Sequence, residues 1–150
     1  MGDADWRSHL IDDDARLAEL VRSFRRVAVL GMKTEAQDHQ PAFYVPRYLA
    51  EAGVEIFPVP VYFPEATEIL GRKVHRKVAD VPGPIDCVDV FRRSQDVAAH
   101  VDDLLAARPR AVWMQSGIAN DAAAERLARA GIAVVQDRCL MVEHRRHARG

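Results

Sequence analysis

Apolar positions in this chain switch repeatedly between a helical spacing and short unbroken runs, and that alternation sets the expected fold. Behind Asp12, Asp13 and Asp14, the residues Ala15, Leu17, Leu20, Val21 and Phe24 recur every three or four positions, which predicts a capped amphipathic helix of about four turns. Residues 27–30 form an apolar strand that breaks at Gly31. Val45, Tyr48, Leu49 and Ala52 then mark a helix closed by Gly53. Pro46 fits that helix only if it starts a few residues earlier, where a missing amide has no intrahelical partner. Residues 54–59 are a second strand, bounded by Pro58 and Pro60, and residues 62–81 are an excursion with room for one short helical turn. A third strand covers residues 85–91, and Ser94 is placed to cap a helix carrying Val97, Val101, Leu104 and Leu105. Residues 111–114 are a fourth strand. Asn120 and Asp121 open a helix that stops at Gly131, and residues 132–135 are a fifth strand.

Strands alternating with helices at this rhythm predict βαβ units, and hence an α/β fold: one Rossmann-like, doubly wound, parallel five-stranded sheet with helices on both faces. Residues 1–26 read as a helical lead-in, 27–144 as the binding domain and 145–150 as a frayed basic tail. A length of 150 residues, 49% of them hydrophobic, suits one buried core and is short for two. The balance of 21 basic against 22 acidic residues gives a net charge of -1 and no field that would draw nucleic acid or a membrane surface. Cys87 and Cys139 lack a Cys-x-x-Cys neighbour, and no apolar run approaches the ~20 residues that span a bilayer, so a reducing cytoplasm is the expected compartment.

In such a sheet ligands bind beyond the carboxyl ends of the strands, where the strand order reverses. The positions that follow the strands are Gly31, Lys33 and Thr34; Val59; Arg92 and Arg93; Gln115, Ser116 and Gly117; and Arg138. Lys33, Arg92, Arg93 and Arg138 supply cations for a phosphorylated ligand, while Thr34 and Ser116 supply hydroxyl donors. Gly31 permits a tight turn and close approach, and the helix start that follows favours negative charge. One glycine is not the Gly-x-Gly-x-x-Gly spacing of a dinucleotide site. The second strand also ends in Phe57-Pro-Val-Pro60, with Glu55 at its opposite end, where a nicotinamide site needs a ribose-binding carboxylate. No catalytic or metal-binding constellation assembles: the six histidines are scattered, Ser116 lacks the first glycine of a nucleophile elbow, Cys139 reads as an apolar filler and Trp113 as core.

Several motifs together resemble the small stand-alone CoA-binding proteins, whose domain is similar to the N-terminal CoA-binding domain of the succinyl-CoA synthetase α subunit. They are Val29-Leu-Gly31, Ile69-Leu-Gly71 with Val74, Val88-Asp-Val-Phe-Arg-Arg93, Val112-Trp-Met-Gln-Ser-Gly-Ile118, and Val135-Gln-Asp-Arg-Cys139 with Glu143-His144. The resemblance covers residues 27–144. It implies coenzyme A, or an acyl-CoA, lying across the strand ends, its nucleotide near the Gly31 loop and the second-strand end, and its pantetheine passing Phe91 and residues 115–118. Residues 33–40 depart from the Ser-Pro-Asn-Pro type of loop in many such proteins. The synthetase's phosphorylated histidine belongs to a domain outside this match, so the resemblance implies binding without catalysis. Two alternatives stand beside it: an enzyme acting on an acyl-CoA or another nucleotide through Cys139 or Ser116, and a ligand-free interaction module. Phe43, Tyr44, Tyr62 and Phe63 offer either a surface for a second copy or partner protein, or packing for the chain's own sheet.

Overall fold

Five parallel strands form where the apolar runs fall: β1 (Arg26–Leu30), β2 (Glu55–Val59), β3 (Cys87–Val90), β4 (Ala111–Met114) and β5 (Ala133–Val135). The computed structural model describes residues 3–148. The strands lie in the order β2-β1-β3-β4-β5, with Leu30 level with Val59 and Val90, Val88 with Val112, and Val112 with Val134. The order reverses between β1 and β3, which places the switch point of this doubly wound α/β sheet there.

Side chains alternate across the sheet, and each face is apolar because each is covered. Val27, Val29, Cys87 and Trp113 point toward α1 (Asp14–Arg22) and α2 (Pro41–Glu51), where Leu17, Val21 and Leu49 are buried. Ala28, Leu30, Val88, Val112 and Met114 point the other way, onto Leu104 of α3 (Val101–Ala107) and Leu127 of α4 (Asp121–Arg129). Burying each such aliphatic side chain is worth about 1.5–3 kcal/mol. Trp113 is core as expected, and its Nε1 donates to the Arg138 carbonyl at 2.8 Å.

The termini depart from expectation. Asp13 caps α1 by accepting the Arg16 N–H, but the helix has nine residues rather than four turns. Ahead of it, Asp3–His9 is 3₁₀, and Ile11 donates to the Val134 carbonyl at 2.9 Å, covering the open edge of β5. Residues 145–147 are no frayed tail. They complete α5 (Leu140–His147), whose buried Leu140 joins Leu17 and Val21 in one cluster, while Arg22 bonds the His147 carbonyl at 2.7 Å. Arg149 and Gly150, the rest of that expected tail, lie outside the described residues. The excursion holds the expected single turn at Val78–Asp80 and also a hairpin, Glu68–Ile69 against Arg72–Lys73, turned by Leu70 and Gly71 at φ +56° and +70°.

Two interior carboxyls behave oppositely. Asp86 lies at the start of β3, where partial burial opposes its charge. The N–H groups of Arg25 and Arg26 and the Arg110 guanidinium outweigh that burial and hold its carboxyl below the usual range. Asp89, fully buried in the middle of β3 with neither oxygen hydrogen-bonded, is pushed well above the usual carboxylate range by burial.

Candidate functional site

The loops that leave β1, β3 and β4 enclose a cleft of about 620 Å³ beyond the carboxyl ends of those strands. Its walls are Lys33, the first turn of α2 (Gln40, Pro41, Ala42 and Tyr44), residues 91–95, residues 115–118 and Cys139. It therefore sits at the switch point, against the N-termini of both α2 and α5, where the helix dipoles favour an anion.

The β1 loop is shaped by two backbone devices. Gly31 has φ +85°, and its N–H donates to the Val59 carbonyl at 2.8 Å. A Cβ built on it would collide with the Phe91 carbonyl oxygen and lie 3.1 Å from that carbonyl's carbon. This glycine is therefore required by the close approach of the β1 and β3 ends. The second device is Pro46. It lies at the sixth position of α2, inside the helix, so the Ala42 carbonyl loses its intrahelical donor. That carbonyl accepts the Lys33 N–H at 3.2 Å. The proline expected to demand an amide-free position thus frees an acceptor that pins the cleft's lysine to α2.

Three of the proposed ligand groups are committed elsewhere. Thr34 caps the short 3₁₀ turn Glu35–Gln37: its hydroxyl donates to Gln37 Oε1 at 2.9 Å and accepts from Ala36, so it is a loop brace and not a free phosphate donor. Arg138 is drawn away to Asp12, which it meets at 2.8 Å, because the lead-in brings that carboxylate beside it. Val59 is fully buried, and only its carbonyl takes part, in the bond from Gly31. None of the three, nor Gly31, lines the cleft.

Lys33, Phe91, Arg92, Arg93, Gln115, Ser116 and Gly117 do line it. Gln115 is 5% exposed, and its Oε1 accepts the Leu140 N–H at 3.0 Å, tying the β4 loop to the start of α5. Gly117 donates to Asp137 Oδ1 at 2.6 Å, and Ile118 to the Gln115 carbonyl at 2.8 Å, which close that loop into a tight turn. Ser94 does not cap a helix as expected: the N-cap of the 3₁₀ segment Ser94–His100 is Arg93, and the Ser94 hydroxyl accepts the Ala119 N–H at 3.0 Å, bracing the β3 loop against the β4 loop.

The cations are set by their neighbours. Arg93 meets Asp96 at 2.8 Å, which raises the guanidinium's affinity for its proton and holds the Asp96 carboxyl below its usual range. Arg92 is better covered, its side chain 15% exposed, 3.8 Å from Asp96 and donating through Nε to His100 Nε2 at 3.2 Å. Burial, and then the Arg92 charge, lower the His100 pKa, which suits a neutral ring accepting at Nε2. Arg92 also lies 5.5 Å from the Tyr62 ring centroid, and its hydrogen bond to the Tyr62 hydroxyl at 3.5 Å lowers that phenol's pKa.

Sequence reading missed the first turn of α2 as a cleft wall. The available signal was Pro41, whose fixed φ and missing amide suit the first helical position. Cys139, read as an apolar filler, is a half-buried free thiol on the cleft wall. The aromatic set splits: Phe43 is buried, while Tyr62 is 59% exposed. Glu55 is where the sequence put it, at the far end of β2, bonded to Arg26 at 2.9 Å and Arg72 at 2.6 Å.

Comparison with known proteins shows the family and the fold. A family model described as CoA binding domain matches residues 25–145. The uncharacterized protein YneT of Bacillus subtilis (strain 168) is 32% identical over 130 residues, 87% of this chain and 93% of that one. A solved structure from Thermus thermophilus shares 39% identity and a TM-score of 0.81, covering 90% of this chain and 98% of that chain. The dinucleotide-forming acetyl-coenzyme A synthetase 1 of Ca. Korarchaeum cryptofilum aligns at 25% identity and a TM-score of 0.63 over 78% of this chain, which corresponds to 27% of that enzyme.

Proposed function

This chain belongs to the CoA binding domain family, and from that premise we propose that it binds coenzyme A or an acyl-CoA in the cleft beyond β1, β3 and β4, without transforming it. One observation carries the assignment to this cleft: Lys33, Arg92 and Arg93 line it together, and no Asp or Glu is among its lining residues. CoA carries a diphosphate and a 3′-phosphate, so a cation-lined, carboxylate-free cleft against two helix N-termini matches its charge. A ribose-reading carboxylate, which a nicotinamide dinucleotide would use, is replaced at the end of β2 by buried Val59. The apolar stretch of wall formed by Phe91, Pro41, Ala42 and Ile118 suits the pantetheine arm.

Binding without chemistry is favoured because, among the described residues, neither the Ser116 hydroxyl nor the Cys139 thiol is hydrogen-bonded to a histidine or carboxylate that would activate it. The test is calorimetry and thermal shift with CoA, acetyl-CoA, NAD and ATP, on the chain as it stands and on Arg92→Ala. Selective binding of CoA or acetyl-CoA, weakened by the substitution, is the expected result. A ligand at ~100 times its dissociation constant adds about 2.7 kcal/mol to stability, enough to read as a shift. Indifference to all four ligands would refute the reading and leave an interaction module. Turnover of acetyl-CoA that is lost in Cys139→Ala or Ser116→Ala would replace it with an enzyme.

A further inference from the structure

We propose that Tyr62 is a stacking platform for the adenine base of the ligand, an inference that rests on the CoA reading of the cleft. Tyr62 follows the end of β2 and is 59% exposed, one of only two large hydrophobic side chains that stand out in solvent among the described residues. It is not loose. The Arg76 guanidinium bonds the carbonyls of Tyr62, Phe63, Pro64 and Ala66 at 2.9–3.3 Å, fixing the segment that carries it. Phe63 is held in the left-handed region at φ +63°, a conformation that costs a bulky residue free energy.

This rigid segment is coupled to the cleft at two points. Arg92 covers one side of the Tyr62 ring at 5.5 Å, and the Lys33 ammonium lies 5.8 Å from the centroid of Phe63. Both cations also line the cleft. A ring 59% exposed, on a main-chain segment held by four bonds from the Arg76 guanidinium and with the Arg92 cation against it, has the form of a base-stacking platform. A purine laid on the open side would complete a guanidinium–phenol–base stack, while its phosphates reached Arg92 and Lys33.

The experiment measures affinities of CoA, dephospho-CoA and 4′-phosphopantetheine by calorimetry for the parent chain, Tyr62→Ala and Tyr62→Phe. Tyr62 is exposed, and unchanged melting temperatures of the ligand-free variants confirm that each is folded. Tyr62→Ala is expected to weaken CoA and dephospho-CoA by about tenfold, within the range of base-aromatic stacking, and to leave 4′-phosphopantetheine, which has no base, unchanged. Tyr62→Phe keeps the ring and is expected to bind all three like the parent chain. A loss that spares dephospho-CoA would show Tyr62 acting through Arg92 on the 3′-phosphate and overturn the proposal, as would an equal loss for all three ligands or no loss for any. If the parent chain binds none of them, the CoA reading itself falls, and this inference with it.

Discussion

Gly31→Ala tests whether the cleft is built by the close approach of two strand ends. Two costs are expected. An alanine at φ +85° pays about 1–2 kcal/mol for the left-handed conformation. Its Cβ would also meet the Phe91 carbonyl and come within 3.3 Å of Arg92 Cδ, and forcing a group into filled space adds roughly 1–3 kcal/mol. The sum is roughly 2–5 kcal/mol, and for a chain of this size each kcal/mol lowers the melting temperature by about 2–4 °C. Gly117→Ala separates the two costs, because Gly117 has nearly the same φ, +84°, and nothing lies within 4 Å of its ideal Cβ. It should lose only the conformational part. Urea unfolding of both variants gives the comparison, with unchanged m-values certifying the same transition. Losses that agree within about 0.5 kcal/mol would refute the contact argument and reduce Gly31 to an ordinary turn glycine.

Arg92→Ala should weaken CoA binding by roughly tenfold or more, the worth of a charge-assisted hydrogen bond, and the loss should shrink as salt rises in a calorimetric series. Gln115→Leu leaves the Leu140 N–H without the acceptor it now meets at 3.0 Å, and should lower stability by about 1–3 kcal/mol in a urea titration. Asp89→Val should instead stabilise the chain at neutral pH. In the unfolded chain this carboxyl ionises near pH 3.9, while burial in β3 keeps it protonated, so the folded state binds more protons and parent stability falls as pH rises above about 4. The variant should lack that slope, and coincident pH profiles of the urea midpoint would refute the assignment.

The sheet was legible because its strands are short apolar runs fenced by glycine and proline, and burial on both faces is what such runs require. The cation edge was legible for the same reason, since in a parallel sheet the residues after each strand share one rim. What failed were positions decided by partners far away in the sequence. Nothing local to Arg138 announces that Asp12, 126 positions earlier, will claim it. Thr34 is different: Gln37 stands three residues on, and that spacing was a readable capping signal. Pro46 shows a third kind of limit. Its local meaning, a lost helix bond, was plain, but the use made of the freed carbonyl depends on where the Lys33 loop runs.

These assignments divide the polar residues around the cleft into two sets with different physics. Ser94, Gln115 and Asp137 spend their side chains on backbone groups of neighbouring loops and Thr34 spends its own on the turn it caps, while Lys33, Arg92 and Arg93 line the wall. The first set fixes the loops before any ligand arrives, so that less ordering entropy is lost on binding. The second set is what, in the binding we propose, selects for an anionic ligand. Asp96 links the two, since it holds Arg93 at 2.8 Å and stands 3.8 Å from Arg92 without lining the cleft. It partly neutralises those guanidiniums, and in the binding we propose a phosphate competes with it for cations that are already positioned. In the CoA reading we propose, selectivity rests on where the phosphates stand as well as on how many there are: a diphosphate and a separate 3′-phosphate would engage Lys33, Arg92 and Arg93 together, whereas a ligand with one phosphate would displace little of this internal pairing.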